Sequence, residues 1–170
     1  MFKNLETINK KTIEFLKLSL GKIEKRMKEI ISNQAKLKQQ FELMKSVPGV
    51  GEKTAIYFLI ATKGFKSFTC ARKLACYAGV APFEYSSGSS IRGGTKVNHM
   101  ADKKMKSLLQ MCALSAVRFD KQLKEYYQKK QNEGKNKMLV LNNVRNKIIS
   151  RIFAVINRNS PFIDTYKFAS

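Results

Sequence analysis

Proline occurs at only three positions, 48, 82 and 161, and nearly every segment between them has helical spacing. The first segment is the most constraining. Residues 4–45 contain no proline and one glycine, Gly21. Apolar side chains recur at Ile13, Leu16, Leu20, Ile23, Met27, Ile30, Leu37, Phe41 and Met44, in steps of three and four, with Gln34 the one polar position in the series. This is an a/d seam sustained over about four heptads. At ~1.5 Å per residue, one helix over 4–45 would be about 60 Å long. It is too long to pack wholly on a domain of this size, so the seam is expected to pair with another helix, in a homo-oligomer joined through residues 13–44. The alternative is a single amphipathic helix folded back on the core. Gly21 weakens the helix by roughly 1 kcal/mol without ending it.

The second feature is Ser46-Val47-Pro48-Gly49-Val50-Gly51-Glu52-Lys53-Thr54-Ala55, followed by the apolar run IYFLIAT. Two glycines around one apolar residue suit a tight turn between helices, because glycine tolerates positive φ. Val50 is expected to point inward. The pattern h-x-G-h-G-x-x-T-A is that of a helix-hairpin-helix. The N–H groups opening its second helix would suit a phosphate oxygen. Gly49, Gly51, Lys53 and Thr54 are then candidate nucleic-acid contacts. The alternative is a structural hairpin with no such contact.

Downstream, helices are expected over 69–77, 100–119, 120–130 and 137–158. Leu74, Ala75 and Tyr77 are core candidates in the first. Met105, Leu108, Leu109, Cys112, Ala113 and Ala116 form the stripe of the second, with Lys103, Lys104 and Lys106 as a basic surface. The last carries Val140 through Ile156 on one side and Arg145, Lys147, Arg151 and Arg158 on its polar face. Residues 83–98, FEYSSGSSIRGGTKVN, read as the one long irregular loop, either functional or a solvated linker. The chain thus reads as all-α: a coiled-coil helix or connector at 1–45, a compact helical domain at 46–160 containing the hairpin, and a tail at 161–170.

Charge narrows the partner. The 170 residues hold 33 Lys+Arg against 12 Asp+Glu, a net of +21. A chain so basic repels itself unless a polyanion neutralises it, and nucleic acid is the first expectation, with an anionic membrane surface second. Beyond residue 45, bases outnumber acids 22 to 7. No apolar run reaches the ~18 residues of a membrane span, and the N-terminus lacks the apolar stretch of a signal peptide. Cys70, Cys76 and Cys112 match no zinc spacing, and His99 is the one histidine. Reduced cytosolic thiols are the expectation, with no metal site. The carboxylates after residue 45 are scattered, which argues against a two-metal nuclease in this chain. A serine nucleophile remains: Ser86-Ser87-Gly88 lies in the long loop, followed by Arg92 and Lys96. A serine can attack a phosphodiester if cations stabilise the transition state and a base takes its proton, and the loop shows no obvious base.

Several phrases carry a resemblance: SVPGVGEKTA, LACYAGVAPFEYSSGSSIRGGTKV, KKMKSLLQMCALSA, and the tail from YYQKK through EGKNKM to RNKIISRIFAVI. Together they resemble the C-terminal domain of the insertion-sequence 110/116/902 family of transposases, in its Bacteroides-like version, from about residue 46 to 160. The preceding helix resembles that family's coiled-coil connector. The resemblance implies a site-specific DNA recombinase with two halves. An N-terminal RuvC-like half of RNase-H fold carries a D-E-D-D metal site. The C-terminal half carries a serine that joins transiently to a DNA phosphate. Subunits of an oligomer share a composite site, and a bridge RNA pairs with both DNA partners. Carried over, the serine is Ser87, with Ser86 the near alternative. Arg92 and Lys96 sit where basic residues follow the motif, and Gly49 and Gly51 match the hairpin glycines.

This sequence shows no RNase-H-like half and no D-E-D-D set. It is therefore expected to be a truncated product or an excised domain. DNA, and a guide RNA, are its expected partners, with no cofactor in this chain and a divalent metal in the RuvC-like half. The resemblance places it in the bacterial cytoplasm, on the nucleoid. Recombination by the isolated chain is not expected. The competing expectation is a non-catalytic helix-hairpin-helix module for nucleic-acid binding and oligomerisation.

Overall fold

A computed structural model describes residues 2–87, 91–97 and 101–164, and of 2–4 and 83–96 it describes the backbone and not the side chains. The chain forms two compact units, residues 1–39 and 40–170.

The first unit is α1 (Phe2–Asn33) and the beginning of α2 (Ala35–Lys45). The unbroken helix expected over 4–45 is thus two. The break falls at Gln34, whose N–H reaches back three residues to Ile31 O (3.3 Å). A three-residue step tightens the turn and interrupts the α-helical ladder. Gly21 stays inside α1. The seam residues of α1 are in water: Ile13, Leu16, Leu20, Ile23 and Ile30 are each about half exposed.

The second unit begins with the end of α2, whose Phe41, Leu43 and Met44 are buried. It continues with α3 (Glu52–Ala61), α4 (Ala71–Tyr77), β1 (Pro82–Ser87), β2 (Ile91–Val97), α5 (Lys103–Phe119), α6 (Lys121–Asn132) and α7 (Lys137–Arg158). α5 and α7 pack together at its centre; α3 and α6 lie against α5, and α4 and α6 against α7. The 3.6-residue stripes meet there. Met105, Leu109, Ala113 and Ala116 of α5 face a core shared with Val140, Val144, Ile148 and Ile152 of α7, all fully buried. Each such Leu or Ile contributes roughly 1.5–3 kcal/mol by leaving water. Each late helix starts on a side-chain cap: Asp102 accepts from Met105 N, Asp120 from Leu123 N, and Asn136 from Met138 N. Tyr77, a core candidate from sequence, is 43 % exposed and rests against Phe68 with the two rings tilted by 54°.

The domain is all-α except for one excursion. Residues 83–98, expected as a loop, hold an antiparallel hairpin in which Pro82 pairs with Val97, Phe83 with Lys96, Tyr85 with Gly93, Ser86 with Arg92 and Ser87 with Ile91. The register shifts between Phe83 and Tyr85, so β2 carries an extra residue near Gly94, a bulge. Serine and glycine hid these strands in the sequence, because neither favours a strand by itself.

The polar face expected on α7 also changes. Arg145 is buried, its Nε has no hydrogen-bond partner, and burial pushes its guanidinium below its usual value. Among the described residues no carboxylate pairs with it. Arg151 instead forms a shielded ion pair with Asp120 (2.9 Å), joining α6 to α7. Arg158 bonds Ser160 Oγ and Pro161 O and fastens the chain after α7. A buried cation that has no carboxylate partner among the described residues, and whose Nε is unsatisfied, is a net cost. Arg145→Met is therefore expected to raise stability by about 1–2 kcal/mol in urea unfolding. A loss of similar size would mean that the guanidinium is satisfied where it lies.

Candidate nucleic-acid interface

The turn between α2 and α3 is built on short backbone bonds, Val47 N to Met44 O and Val50 N to Val47 O, both 3.0 Å. Val50 points inward, as its place between two glycines suggests. The two glycines do different things. Gly49 has φ +88°, and a Cβ there would lie 2.5 Å from Cys112 O and 2.9 Å from Ala116 Cβ. It is a glycine because α5 passes so close. Gly51 has φ −93° and ψ 170°, ordinary extended backbone, with open space where a side chain would be. It caps α3 without a side-chain bond and is exposed.

Thr54 is corrected in the same way. Its side chain is buried, and its Oγ1 accepts from Cys112 Sγ at 3.4 Å. Burial pushes the Cys112 thiol up, so it stays protonated and able to donate. Gly49 and Thr54 thus tie the turn and α3 to α5 and offer no side-chain surface to a phosphate. Of the four hairpin candidates, Gly51 and Lys53 face solvent.

The basic residues of α5 stand out more sharply. Lys103 and Lys104 are exposed and Lys106 half-buried, all in the opening of the helix. Its first turn contains no acidic residue. Cations at a helix N-terminus oppose the macrodipole, so this placement adds positive potential to the end that is already positive. The cap carboxylate of Asp102 answers part of that charge, and the three lysines leave an excess that suits a further anion.

One carboxylate organises this corner. Asp102 caps α5 and accepts from the Tyr57 hydroxyl of α3 at 2.8 and 3.0 Å, and from Tyr77 of α4. Its own N–H donates to Tyr77 O at 2.9 Å. Burial alone would raise its pKa. The Met105 N–H and the two hydroxyls outweigh that and hold it below the usual carboxylate range. Tyr57 is pushed up to about 12 by burial and by this carboxylate. The node lies five residues after β2 ends at Val97 and joins α3 and α4 to the start of α5. Sequence reading passed over Tyr57 and took Tyr77 for a core residue, because a contact such as Tyr57 to Asp102, spanning 45 residues, leaves no local signal.

The node should be visible in stability. Asp102→Ala is expected to cost about 2–3 kcal/mol, combining a lost cap with lost charge-assisted bonds. The carboxylate's folded pKa is lowered, so its contribution is full above the ordinary carboxylate range and fades as pH falls through and below it. Tyr57 is raised, so its part holds below its ordinary pKa of 10.0 and is lost as pH approaches about 12. Urea midpoints across pH should show both edges in the wild type; in the variant the acid edge is lost and the alkaline edge is smaller but still present, because burial of Tyr57 persists.

Ser86 and Ser87 end β1, and their backbones pair with Arg92 and Ile91 at the outer end of the hairpin. Lys96 pairs with Phe83 near its foot. The side chains of these four candidates, and Gly88 and His99 altogether, lie outside the described residues. Among the described residues, no three His, Cys, Asp or Glu side chains gather closely enough to hold a metal. No described helix is long and apolar enough to cross a membrane.

Residues 41–128, the turn, the hairpin, α5 and most of α6, match the family model described as Transposase IS116/IS110/IS902 family. The chain belongs to that family. Relatives of the IS116/IS110/IS902 group agree. The chain is 29 % identical over 146 residues to the pilin gene-inverting protein of Moraxella bovis, covering 85 % of this chain and 45 % of that protein. It is 31 % identical over 123 residues to the insertion element IS110 43.6 kDa protein of Streptomyces coelicolor, covering 72 % and 30 %. It is 36 % identical over 95 residues to the insertion element IS900 42 kDa protein of Mycobacterium paratuberculosis, covering 55 % and 24 %. The chain spans less than half the length of the curated relatives it matches.

Proposed function

We propose that this chain is the DNA-binding, serine-nucleophile half of an insertion-sequence recombinase. The observation that carries the reading is family membership over residues 41–128, the stretch that contains both the Ser86-Ser87 strand and the lysine-rich start of α5. The relative from Moraxella bovis is named for inverting a pilin gene, which is a DNA rearrangement. In this reading Ser87, or Ser86 beside it, attacks a phosphodiester through Oγ. A serine–phosphate ester forms as the bond to the leaving sugar oxygen breaks, the serine hydroxyl proton ends in net on that oxygen, and Arg92 and Lys96 offset the negative charge of the transition state. Lys103, Lys104 and Lys106, with Lys53 and the exposed Gly51 at the start of α3, hold the phosphate backbone. The chain itself takes no cofactor, and a divalent metal belongs to a RuvC-like half. A guide RNA and a place on the bacterial nucleoid complete the reading.

A second reading keeps binding and assembly without chemistry. The exposed apolar residues of α1 favour its assembly part, since Leu16 and Ile23 are 59 % and 55 % exposed. Large apolar side chains repeated in water mark an interaction surface, here a homo-oligomer through residues 13–44.

Both readings require DNA binding, and salt tests it. Each phosphate neutralised contributes roughly 0.9 to the slope of log affinity against log salt for duplex DNA. Removing all three lysines with Lys103→Gln, Lys104→Gln and Lys106→Gln should flatten that slope by about 2–3 and weaken binding at least tenfold. An affinity indifferent to salt would argue against phosphate contact.

A further inference from the structure

Two grooves meet on the outer side of α7. One, of about 490 Å³, lies between α4, the root of β1 and α7, and is lined by Arg72, Pro82, Asn143, Asn146, Lys147 and Ser150. The other, of about 550 Å³, lies between α6 and α7 and is lined by Tyr126, Lys129 and Arg151 beside the same Lys147 and Ser150. Sharing those two residues makes the grooves one path across the helix.

The lining has a definite chemistry. Arg72, Lys129 and Lys147 are exposed. Lys147 Nζ stands 4.6 Å above the centre of the Tyr126 ring, which holds an ammonium where the two grooves join. Arg151 is committed to Asp120, and among the described residues Glu125 is the one acid lining the path. Between the cations lie two amides and a hydroxyl, groups that bond phosphate and sugar oxygens. The path also has an anchored end. Asn142 Nδ2 donates to Val80 O at 2.8 Å and pins α7 to the chain just before Pro82. Pro82 opens the strand that ends at Ser87, roughly 17 Å along at ~3.4 Å per residue.

We propose that this path is a second nucleic-acid site, a track that holds the phosphodiester backbone of one strand through Arg72 and Lys147 and leads it to the foot of the serine-bearing hairpin. It rests on the DNA-binding reading above and adds a surface away from the lysines of α5. A cationic path with amides and a hydroxyl between its charges fits the repeating phosphates and sugars of a nucleic acid. A DNA strand and a guide RNA present the same phosphodiester chemistry.

The test uses the full chain with fluorescein-labelled 20-mers as single-stranded DNA, duplex DNA and RNA, read by anisotropy across salt. Arg72→Glu with Lys147→Glu should raise Kd at least tenfold for one or more of the three and flatten the salt slope by about 2, and the arm most affected identifies the strand. Arg72→Gln with Lys147→Gln should do the same more mildly, and it decides the question if the charge reversal melts early by circular dichroism. Wild-type affinity and slope in the glutamine variant, alongside weak binding by the α5 lysine variant, would overturn the track and leave the DNA-binding reading standing. A wild-type chain that binds none of the probes at low salt would overturn both. Competition by polyglutamate as effective as by unlabelled nucleic acid would also overturn the track.

Discussion

Gly49→Val is expected to destabilise the 40–170 unit by about 3–5 kcal/mol, enough to leave a marginal domain largely unfolded. Two costs combine. The residue sits at φ +88°, where a β-branched side chain is strained by roughly 1–3 kcal/mol. Its Cβ would also lie 2.5 Å from the carbonyl of Cys112, and that carbonyl belongs to a central helix with no room to retreat. Overpacking of this kind costs a further ~1–3 kcal/mol. Gly51→Val, two residues on, meets open space at an ordinary φ and is expected to change stability by less than about 0.5 kcal/mol. Urea unfolding of both variants separates the two roles. Equal losses would mean that the turn, and not the approach of α5, demands glycine. With folding intact, any loss of DNA affinity in Gly51→Val reads access to the start of α3.

The second large effect is chemical. Ser87→Ala, in an insertion-element protein that joins this sequence to an RNase-H-like half, is expected to abolish strand transfer, since it removes the hydroxyl that forms the ester in the proposed mechanism. Removing one hydroxyl leaves the lysines of α5 and the turn untouched. DNA affinity and its salt slope should therefore stay within about twofold of wild type, because a single neutral contact is worth only about 1 kcal/mol. Ser86→Ala is the control for the neighbouring alternative. If Ser86→Ala alone abolishes transfer, the nucleophile moves by one residue. If neither does, the phosphoserine mechanism fails and the binding module remains.

Much of this architecture was legible in the sequence. The helices α5, α6 and α7 follow from apolar spacing, and their observed bounds lie within about three residues of the expected ones. The misses share a cause: they depend on what another segment does. A Gly-Ser stretch becomes a hairpin through pairing between its two halves. Thr54 faces the core because Cys112 lies across from it, and Gly49 is obligatory because α5 comes near. The polar identity of Arg145 suggested the surface, and three-dimensional placement put it inside. Tyr57 and Tyr77 joined the corner through one distant aspartate. The break at Gln34 did have a local sign, a polar residue in an apolar series, although glutamine is otherwise an acceptable helix residue.

The chemistry at Ser87 is tested most directly by trapping its DNA ester. The insertion-element protein bearing this sequence, incubated with labelled DNA and quenched under denaturing conditions, should yield a covalent protein–DNA adduct. Digestion and mass spectrometry should place the phosphate on the peptide containing Ser87, with the adduct absent from Ser87→Ala and retained by the triple lysine variant at low salt. An adduct on any other residue, or full recombination without one, would contradict the account.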